Sequence, residues 1–84
     1  ILYTLIYSKS FVKQLKKLPN DIQKRIYNAL EKIRIRPQHY IERLVGSPFY
    51  KFRVGDYRII LEIDQGKIQI LVIKIGHRKN IYDS

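Results

Sequence analysis

The spacing of apolar residues changes once along this chain, and that change limits the fold more than any other feature. Between about residues 9 and 36, apolar residues recur every three to four positions, as on the buried side of a helix. From about Phe49 to Ile75 they alternate with polar residues or form a short continuous run, as in strands. A β-branched and aromatic segment, ILYTLIYS, precedes both and predicts one further strand. The sequence therefore predicts an α+β fold with a strand, then helices, then more strands.

Two helical segments form the middle of this order. The first, KSFVKQLKKL, places Phe11, Leu15 and Leu18 on one side. Either Ser8 or Ser10 can cap its N-terminus. The second, DIQKRIYNALEKIRIR, carries an apolar stripe opposite a side rich in Lys and Arg. The stripe consists of Ile22, Ile26, Ala29, Leu30 and Ile33. Because only a short turn at Pro-Asn separates the two segments, they predict a helical hairpin.

Three strands are predicted after the helices. They cover roughly residues 49–54, 57–63 and 67–75. Gly55 and Asp56 join the first two strands, and glycine in the first central position favours a type II′ turn. The stretch DQGK at 64–67 supplies the second turn. We therefore expect an antiparallel meander with both helices on one face, β-α-α-β-β-β overall, in a single domain of residues 1–84.

The Gly-Asp turn also predicts which residues face each other across the hairpin. A two-residue loop pairs Val54 with Tyr57, Arg53 with Arg58, Phe52 with Ile59 and Lys51 with Ile60. The cations Lys51, Arg53 and Arg58 then share the face opposite the core. Like charges directly opposite each other destabilise a sheet, and folding does not require Arg53 to face Arg58. The alternative explanation is an ordinary solvent-exposed sheet face, on which several cations occur by chance because the protein is rich in Lys and Arg.

The third strand and the residues after it extend this surface. Ile68, Ile70 and Val72 are expected to point to the core, and Leu71, Ile73 and Ile75 to the other side. The cations should therefore lie on a partly covered surface with an apolar floor, where charge acts through less water. Beyond Gly76, we expect His77, Arg78 and Tyr82 to reach the same surface, unless they form only a basic tail.

The charge of the chain indicates the class of partner. Seventeen Lys and Arg against seven Asp and Glu give a net charge of +10, which favours a polyanion. No apolar run approaches the roughly 18 residues of a membrane-spanning helix, and no signal-peptide pattern opens the chain. Nucleic acid therefore fits better than a membrane, with an acidic protein as the alternative partner. The absence of Cys excludes disulfides and thiolate metal sites and favours a cytosolic setting.

The basic and aromatic side chains suit cleavage of RNA by attack of a 2′-hydroxyl on the neighbouring phosphodiester. The reaction needs a proton acceptor, cations that stabilise the dianionic pentacovalent state and an acid for the 5′-oxygen, but in principle no metal. Arg donates two parallel hydrogen bonds to a phosphate, and Tyr can stack on a base. Other chemistries lack support, because His39 and His77 show no metal-ligand spacing. No Ser-His-Asp pattern or phosphate loop is present, and Glu31, Glu42 and Glu62 form no evident pair. We therefore expect no metal and no cofactor.

Two stretches of the sequence resemble the RelE/ParE superfamily of toxins from toxin–antitoxin systems, and most closely its RelE branch. LVGSPFYKFRVGDYRII at 44–60 is similar to the family pattern L-x-G…Y-K-x-[KR]…Y-R, and VIKIGHRKNIY at 72–82 is similar to its closing V-x-x-[IV]-G-x-R…Y. With the order of elements, the resemblance covers essentially the whole chain. RelE-like toxins cut messenger RNA in the ribosomal A site by the 2′-hydroxyl route and without a metal. The resemblance therefore implies a ribosome-dependent endoribonuclease; a ParE-like inhibitor of DNA gyrase and a non-catalytic RNA or ribosome binder are the alternatives.

The resemblance also implies a role for each basic residue. Lys51 and Arg53 would remove the proton or support its removal, and Arg58 would stabilise the transition state. Arg78 would protonate or stabilise the leaving group, and Tyr82 would stack on a base.

The sequence departs from the family in two places. The family typically has Lys at the position of Arg53, and Arg is a much poorer proton acceptor. The spacing from Arg78 to Tyr82 is also shorter than in the best-known members.

His77 is similar in location to a catalytic His of related branches and would act as acid or base near neutral pH. The partners that the resemblance implies are an acidic, RelB-like antitoxin in a hetero-oligomer, the ribosome with its 16S-type RNA, and messenger RNA. All of them would be met in the cytoplasm.

Overall fold

The structure, a computed structural model, describes residues 1–77 and 79. Its strands are β1 (Thr4–Tyr7), β2 (Ile41–Arg43), β3 (Tyr50–Val54), β4 (Tyr57–Asp64) and β5 (Gln69–His77). Its helices are α1 (Lys9–Leu15) and α2 (Asn20–Ile33), and a single 3₁₀ turn covers Pro37–His39. The predicted order of strand, helical hairpin and meander is confirmed. The short strand β2 is an addition that the sequence did not predict.

The two helices begin and end where local hydrogen bonds dictate. The hydroxyl of Ser8 caps α1 by accepting a hydrogen bond from the Phe11 amide at 3.0 Å. After Leu15 the chain tightens, because the amide of Leu18 donates to the carbonyl of Leu15 at 3.0 Å, a spacing of three residues. The side-chain amide of Gln23 then donates to the Leu18 carbonyl at 2.8 Å, which ties the start of α2 to the end of α1.

The five strands form one sheet in the order β1-β5-β4-β3-β2. β1 runs parallel to β5, and every other neighbouring pair is antiparallel. The sequence placed Ile68 in the last strand facing the core, but the structure places it in the preceding turn with φ +53. There its carbonyl accepts a hydrogen bond from the amide of Thr4 at 3.0 Å, next to the first residue pair of β1 and β5.

The turn between β3 and β4 has the predicted register. Val54 pairs with Tyr57, Arg53 with Arg58, Phe52 with Ile59 and Lys51 with Ile60. Gly55 has φ +58, whereas Asp56 does not adopt positive φ, and this combination identifies a type II′ turn. The guanidinium of Arg25 on α2 approaches the same glycine, so that a Cβ atom there would lie 3.2 Å from one of its nitrogens.

A β-bulge interrupts the pairing of β4 and β5. Ile60 pairs with Lys74 but Leu61 pairs with Val72, so Ile73 is an extra residue on β5. Side chains alternate between faces along a strand, and one extra residue inverts that alternation for everything after it. Ile75, which we expected on the face away from the helices, is therefore 4% exposed within the core. That expectation was wrong because it assumed an uninterrupted strand.

The helices cover one face of the sheet. The core consists of Phe11, Leu15, Ile26, Leu30, Ile33, Phe52, Val54, Ile59, Leu61, Ile70, Val72 and Ile75. We call the other side of the sheet the open face, because α1 and α2 do not pack on it. Among the described residues, neither helix is long and apolar enough to cross a membrane.

Candidate functional site

Three cations predicted from the sequence meet on the open face of the sheet. Lys51 and Arg53 lie two residues apart on β3, and Arg58 faces Arg53 from β4. Their neighbours Phe52 and Ile59 point the other way, into the core. We call Lys51, Arg53 and Arg58 together the cationic site. The alternation of β3 and β4 and the two-residue turn are sufficient to bring these three side chains together.

Arg53 and Arg58 differ in their surroundings. Arg53 is exposed, whereas Arg58 is half-buried and its Nε atom is shielded from solvent. Residues directly opposite in an antiparallel pair have Cβ atoms about 4.5–5.5 Å apart. Two guanidinium groups on such a pair can donate to the same phosphate, each with two parallel hydrogen bonds. A guanidinium is a poor proton acceptor, so this pair suits the binding of negative charge better than general-base chemistry.

Lys51 has an acidic neighbour that the sequence did not reveal. Glu42 on β2 pairs directly with Lys51, and the ammonium lies 3.9 Å from the carboxylate. The Lys51 side chain is 22% exposed and that of Glu42 is 78% exposed, so the pair is weak and water competes for both groups. We missed it because β2 has only three residues, too few for an alternating pattern to stand out.

A small apolar cluster lies beneath the cations on the open face. Ile60 is 3% exposed and packs with Leu44 and Phe49 from the loop between β2 and β3. An apolar floor is therefore present, but Ile60, directly opposite Lys51, supplies it. The expected Ile75 lies in the core instead. Apolar surroundings of this kind exclude water and strengthen the attraction between a cation and a phosphate.

His77 does not join the cationic site. It pairs with Tyr57, and the two rings make an edge-on contact with centroids 5.6 Å apart. Paired residues point to the same side of a sheet, and Tyr57 packs against the core. His77 therefore lies on the side opposite Arg58, because the bulge at Ile73 inverts the alternation that had placed it with the cations.

His39, Arg78 and Tyr82 also figured in the sequence analysis, but only His39 is among the described residues. His39 ends the 3₁₀ turn as an exposed side chain. Arg78 and Tyr82 lie outside the described residues. Within residues 1–77 and 79, no three His, Cys, Asp or Glu side chains come close enough together to bind a metal ion.

The sequence matches a family model along nearly its whole length. The model describes the ParE toxin of the type II toxin–antitoxin system parDE and matches residues 5–82. The chain is also 34% identical over 89 residues to Toxin RelE3 of Methanocaldococcus jannaschii, and the alignment covers 94% of each protein.

Solved structures give the same relationship. The structure matches the RelB–RelE antitoxin–toxin complex of Methanococcus jannaschii with a TM-score of 0.70 and 33% identity, covering 93% of this chain and 95% of that one. It matches the RelBE2 complex of Mycobacterium tuberculosis with a TM-score of 0.83 and 22% identity, covering 93% and 100% of the two chains. It matches the archaeal RelE–RelB complex of Pyrococcus horikoshii with a TM-score of 0.80 and 24% identity, covering 96% and 100%. The last two likenesses concern the fold alone. From the family model and the identity to Toxin RelE3, the chain belongs to the RelE/ParE superfamily of toxins from toxin–antitoxin systems.

Proposed function

We propose that this toxin is a ribosome-dependent endoribonuclease that cuts messenger RNA in the ribosomal A site and so inhibits translation in the cytoplasm. One observation carries the proposal: Lys51, Arg53 and Arg58 converge on one open face, above an apolar cluster. The pairing of Arg53 with Arg58 places two like charges opposite each other, and their mutual repulsion costs stability. A phosphate bound between them turns that repulsion into attraction on both sides.

The reaction is attack of a ribose 2′-oxygen on the adjacent phosphorus. The bond from phosphorus to the 5′-oxygen breaks, which leaves a 2′,3′-cyclic phosphate on one fragment and a 5′-hydroxyl on the other. The 2′-hydroxyl loses one proton and the leaving 5′-oxygen gains one, so the reaction is balanced without a metal or cofactor. The cations act on the oxygens of the pentacovalent phosphoryl group, which carry more negative charge in the transition state than in the substrate.

Each residue has a distinct part in this scheme. Arg58 is half-buried and positioned to hold the equatorial oxygens of the phosphate. Lys51 lies beside the attacking 2′-oxygen and supports loss of its proton, while Arg53 supplies charge. Arg78 stabilises the leaving oxygen and Tyr82 stacks on a base, roles that rest on the family resemblance. His77 has no part in the reaction, because it lies on the other side of the sheet.

We also propose that an acidic, RelB-like antitoxin binds this toxin in a hetero-oligomer and keeps it inactive. The structural relatives from Methanococcus jannaschii, Mycobacterium tuberculosis and Pyrococcus horikoshii are toxin–antitoxin complexes. The net charge of +10 on this chain favours a partner of opposite charge. A partner that binds only the folded toxin also stabilises it.

Mapping of messenger RNA ends on translating ribosomes tests the nuclease function. The toxin is added to a translation reaction, and primer extension locates new ends relative to the A-site codon. We expect cuts within that codon that disappear when the antitoxin is added. Intact messenger RNA at toxin concentrations that arrest growth would rule the nuclease out.

Inhibition of DNA gyrase is the second candidate, because the matching family model describes ParE toxins. In that case the cationic site would serve only as a binding surface. A supercoiling assay with purified gyrase separates the two functions. Blocked supercoiling together with intact A-site messenger RNA would establish the gyrase reading.

A further inference from the structure

The bulge at Ile73 brings one more cation to the open face. If β5 continued without interruption, Lys74 would point to the same side as the core residue Val72. Because Ile73 is an extra residue, Lys74 instead pairs with Ile60, and both point to the open face. The Lys74 side chain is exposed there.

Lys74 lies close to the cationic site in two directions. Lys51, Ile60 and Lys74 form one row across three neighbouring strands, with Ile60 in the middle. Arg58 pairs with Gly76, two residues beyond Lys74, so Arg58 and Lys74 are diagonal neighbours. Diagonal neighbours in a sheet lie about 7–8 Å apart, within reach of long side chains. Four cations therefore surround the buried Ile60 and the small Gly76.

Two residues at opposite ends of α1, the cap Ser8 and Gln14, hold the bulge in place. On a regular strand, consecutive carbonyls point to opposite edges, but here the carbonyls of Val72 and Ile73 both accept from Ser8. The Ser8 amide donates to the Val72 carbonyl at 2.9 Å, and the Ser8 hydroxyl donates to the Ile73 carbonyl. Gln14 accepts a hydrogen bond from the Ile75 amide at 2.9 Å. The backbone groups of Ile73 and Ile75 that the bulge leaves outside the ladder are thus bonded by α1 residues and the α1 cap, so the position of Lys74 is built into the fold.

The position of Lys74 has no other stabilising use among the described residues. The ion pairs of Arg34 with Glu31 and of Lys51 with Glu42 do not include Lys74. A fourth positive charge beside Lys51 and Arg58 adds repulsion to the folded toxin. When a chain of phosphates is bound, each of these cations attracts it, and this attraction outweighs the repulsion between the cations.

We infer that Lys74 is a substrate-binding residue of the same site, and that it contacts the RNA phosphate next to the one held by Arg53 and Arg58. This inference rests on the proposed nuclease function and adds to it the path of the RNA, from the β3–β4 hairpin across Ile60 to β5. Lys74 binds the substrate before and during the reaction equally, so it contributes to affinity and not to the rate of cleavage.

A lysine-reactivity footprint tests where the RNA lies, independently of cleavage. The toxin is mixed with a short single-stranded RNA whose 2′-hydroxyls are methylated so that it cannot be cut. Toxin with and without this RNA is then treated with an acetylating reagent, and the acetylated lysines are identified by mass spectrometry. We expect the RNA to protect both Lys51 and Lys74, and to leave Lys67, which is exposed in the turn between β4 and β5, reactive. Protection of Lys51 with Lys74 still fully reactive would overturn the inference while leaving the nuclease proposal standing. Full reactivity of both lysines would also overturn the inference. The mapping of messenger RNA ends would then test the nuclease function separately.

Substitution of Lys74 tests the same inference through the affinity for RNA and its dependence on salt. We expect Lys74→Met to weaken binding of the same RNA about tenfold, as for loss of one charge-assisted hydrogen bond. The slope of log affinity against log salt should fall by about 0.7, the value for one phosphate of a single strand. Lys74→Arg should keep both values, and Lys67→Met should change neither by a comparable amount. On ribosomes, Lys74→Met should raise KM and leave kcat unchanged. Equal affinity and slope for Lys74→Met and Lys67→Met would refute the inference.

Discussion

Arg53 and Arg58 face each other across the β3–β4 hairpin, although this arrangement opposes folding. The hairpin would keep its register with any residue of strand propensity at position 53, since the Gly-Asp turn determines the pairing. Under the proposed function, Arg53 is there to bind a phosphate of the RNA. The hairpin thus carries two kinds of side chain: Phe52 and Ile59 pack in the core and stabilise the fold, whereas Arg53 repels the cation opposite it.

Arg53→Gln should make the free toxin more stable and less active. Removal of one of two facing like charges is expected to raise the free energy of unfolding by about 0.2–1 kcal/mol, while cleavage falls. Urea denaturation measures the stability, because urea adds no ions. Salt screens the repulsion, so the gain should shrink as sodium chloride is added. Arg36→Gln, an exposed change elsewhere, is the control. A less stable Arg53→Gln variant at low salt would contradict the explanation of this pair.

Arg58→Ala should remove most of the activity and leave the fold intact. Loss of one donor that acts on the transition state typically costs about 10²–10³-fold in kcat. Arg58→Lys should recover only part of this loss, because an ammonium lacks the planar fork that holds two phosphate oxygens. Circular dichroism and A-site cleavage rates measure the two effects together. Near-normal cleavage by a folded Arg58→Ala variant would remove Arg58 from the mechanism.

At the scale of secondary-structure elements, the site depends on a turn and a bulge. The turn at Gly55 brings Arg53 opposite Arg58, and the bulge at Ile73 determines what β5 presents on each face. Both features place the cations by backbone geometry, while the core lies between the helices and the other face of the sheet. Changes in these backbone features should therefore affect the site without touching a cation.

Gly55→Ala should destabilise the toxin by about 1–3 kcal/mol, since a residue with a side chain is strained at positive φ. The new Cβ atom would also lie 3.2 Å from a guanidinium nitrogen of Arg25. Gly66→Ala is the matched control, because its Cβ atom would meet only Asp64 at an ordinary 3.5 Å. The free energy of unfolding in urea measures both variants. Equal losses for the two glycines would mean that the type II′ turn is not the constraint.

Gln14→Leu should loosen the bulge. It removes the acceptor for the Ile75 amide, and a buried amide without a partner costs about 1–3 kcal/mol. Hydrogen exchange at the Ile75 amide should therefore become faster, as followed by NMR. Gln14→Glu keeps an acceptor oxygen and should keep slow exchange. If exchange at Ile75 is the same in the leucine variant as in the wild type, α1 does not hold the bulge.

The contrast between these two elements explains what could be predicted from the sequence. Gly55 marks its turn by residue type, so the register and the meeting of Lys51, Arg53 and Arg58 followed from it. The segment from Leu71 to Ile75 is apolar at almost every position, so alternation carries no signal there. The bulge was therefore missed, and with it the correct faces of Ile75 and His77. The hydrogen bonds that reveal the bulge join residues 61 and 65 positions apart in the chain.

At the scale of the whole molecule, the sheet has a helical face that folds the protein and an open face that carries the site. The parallel pairing of β1 with β5 joins the two ends of the described chain, and no local pattern in the sequence predicted it. The net charge of +10 is distributed over a small domain, so both RNA and an acidic antitoxin are attracted over distances comparable with the Debye length. Under the proposed function, the two partners would compete for the same positive charge, and binding of the antitoxin would inhibit the nuclease.

Cleavage of a ribosome-bound messenger RNA with one altered sugar tests whether a ribose 2′-hydroxyl attacks the phosphorus at the cationic site. The messenger RNA carries a 2′-deoxyribose only at the nucleotide whose 2′-oxygen would attack, and is compared with unmodified RNA in the same A-site codon. We predict that the toxin cuts the unmodified RNA, leaves a 2′,3′-cyclic phosphate, and does not cut the deoxy-substituted RNA. Cutting of both RNAs at similar rates would contradict the account, because the cationic site would then not be promoting attack by the 2′-hydroxyl.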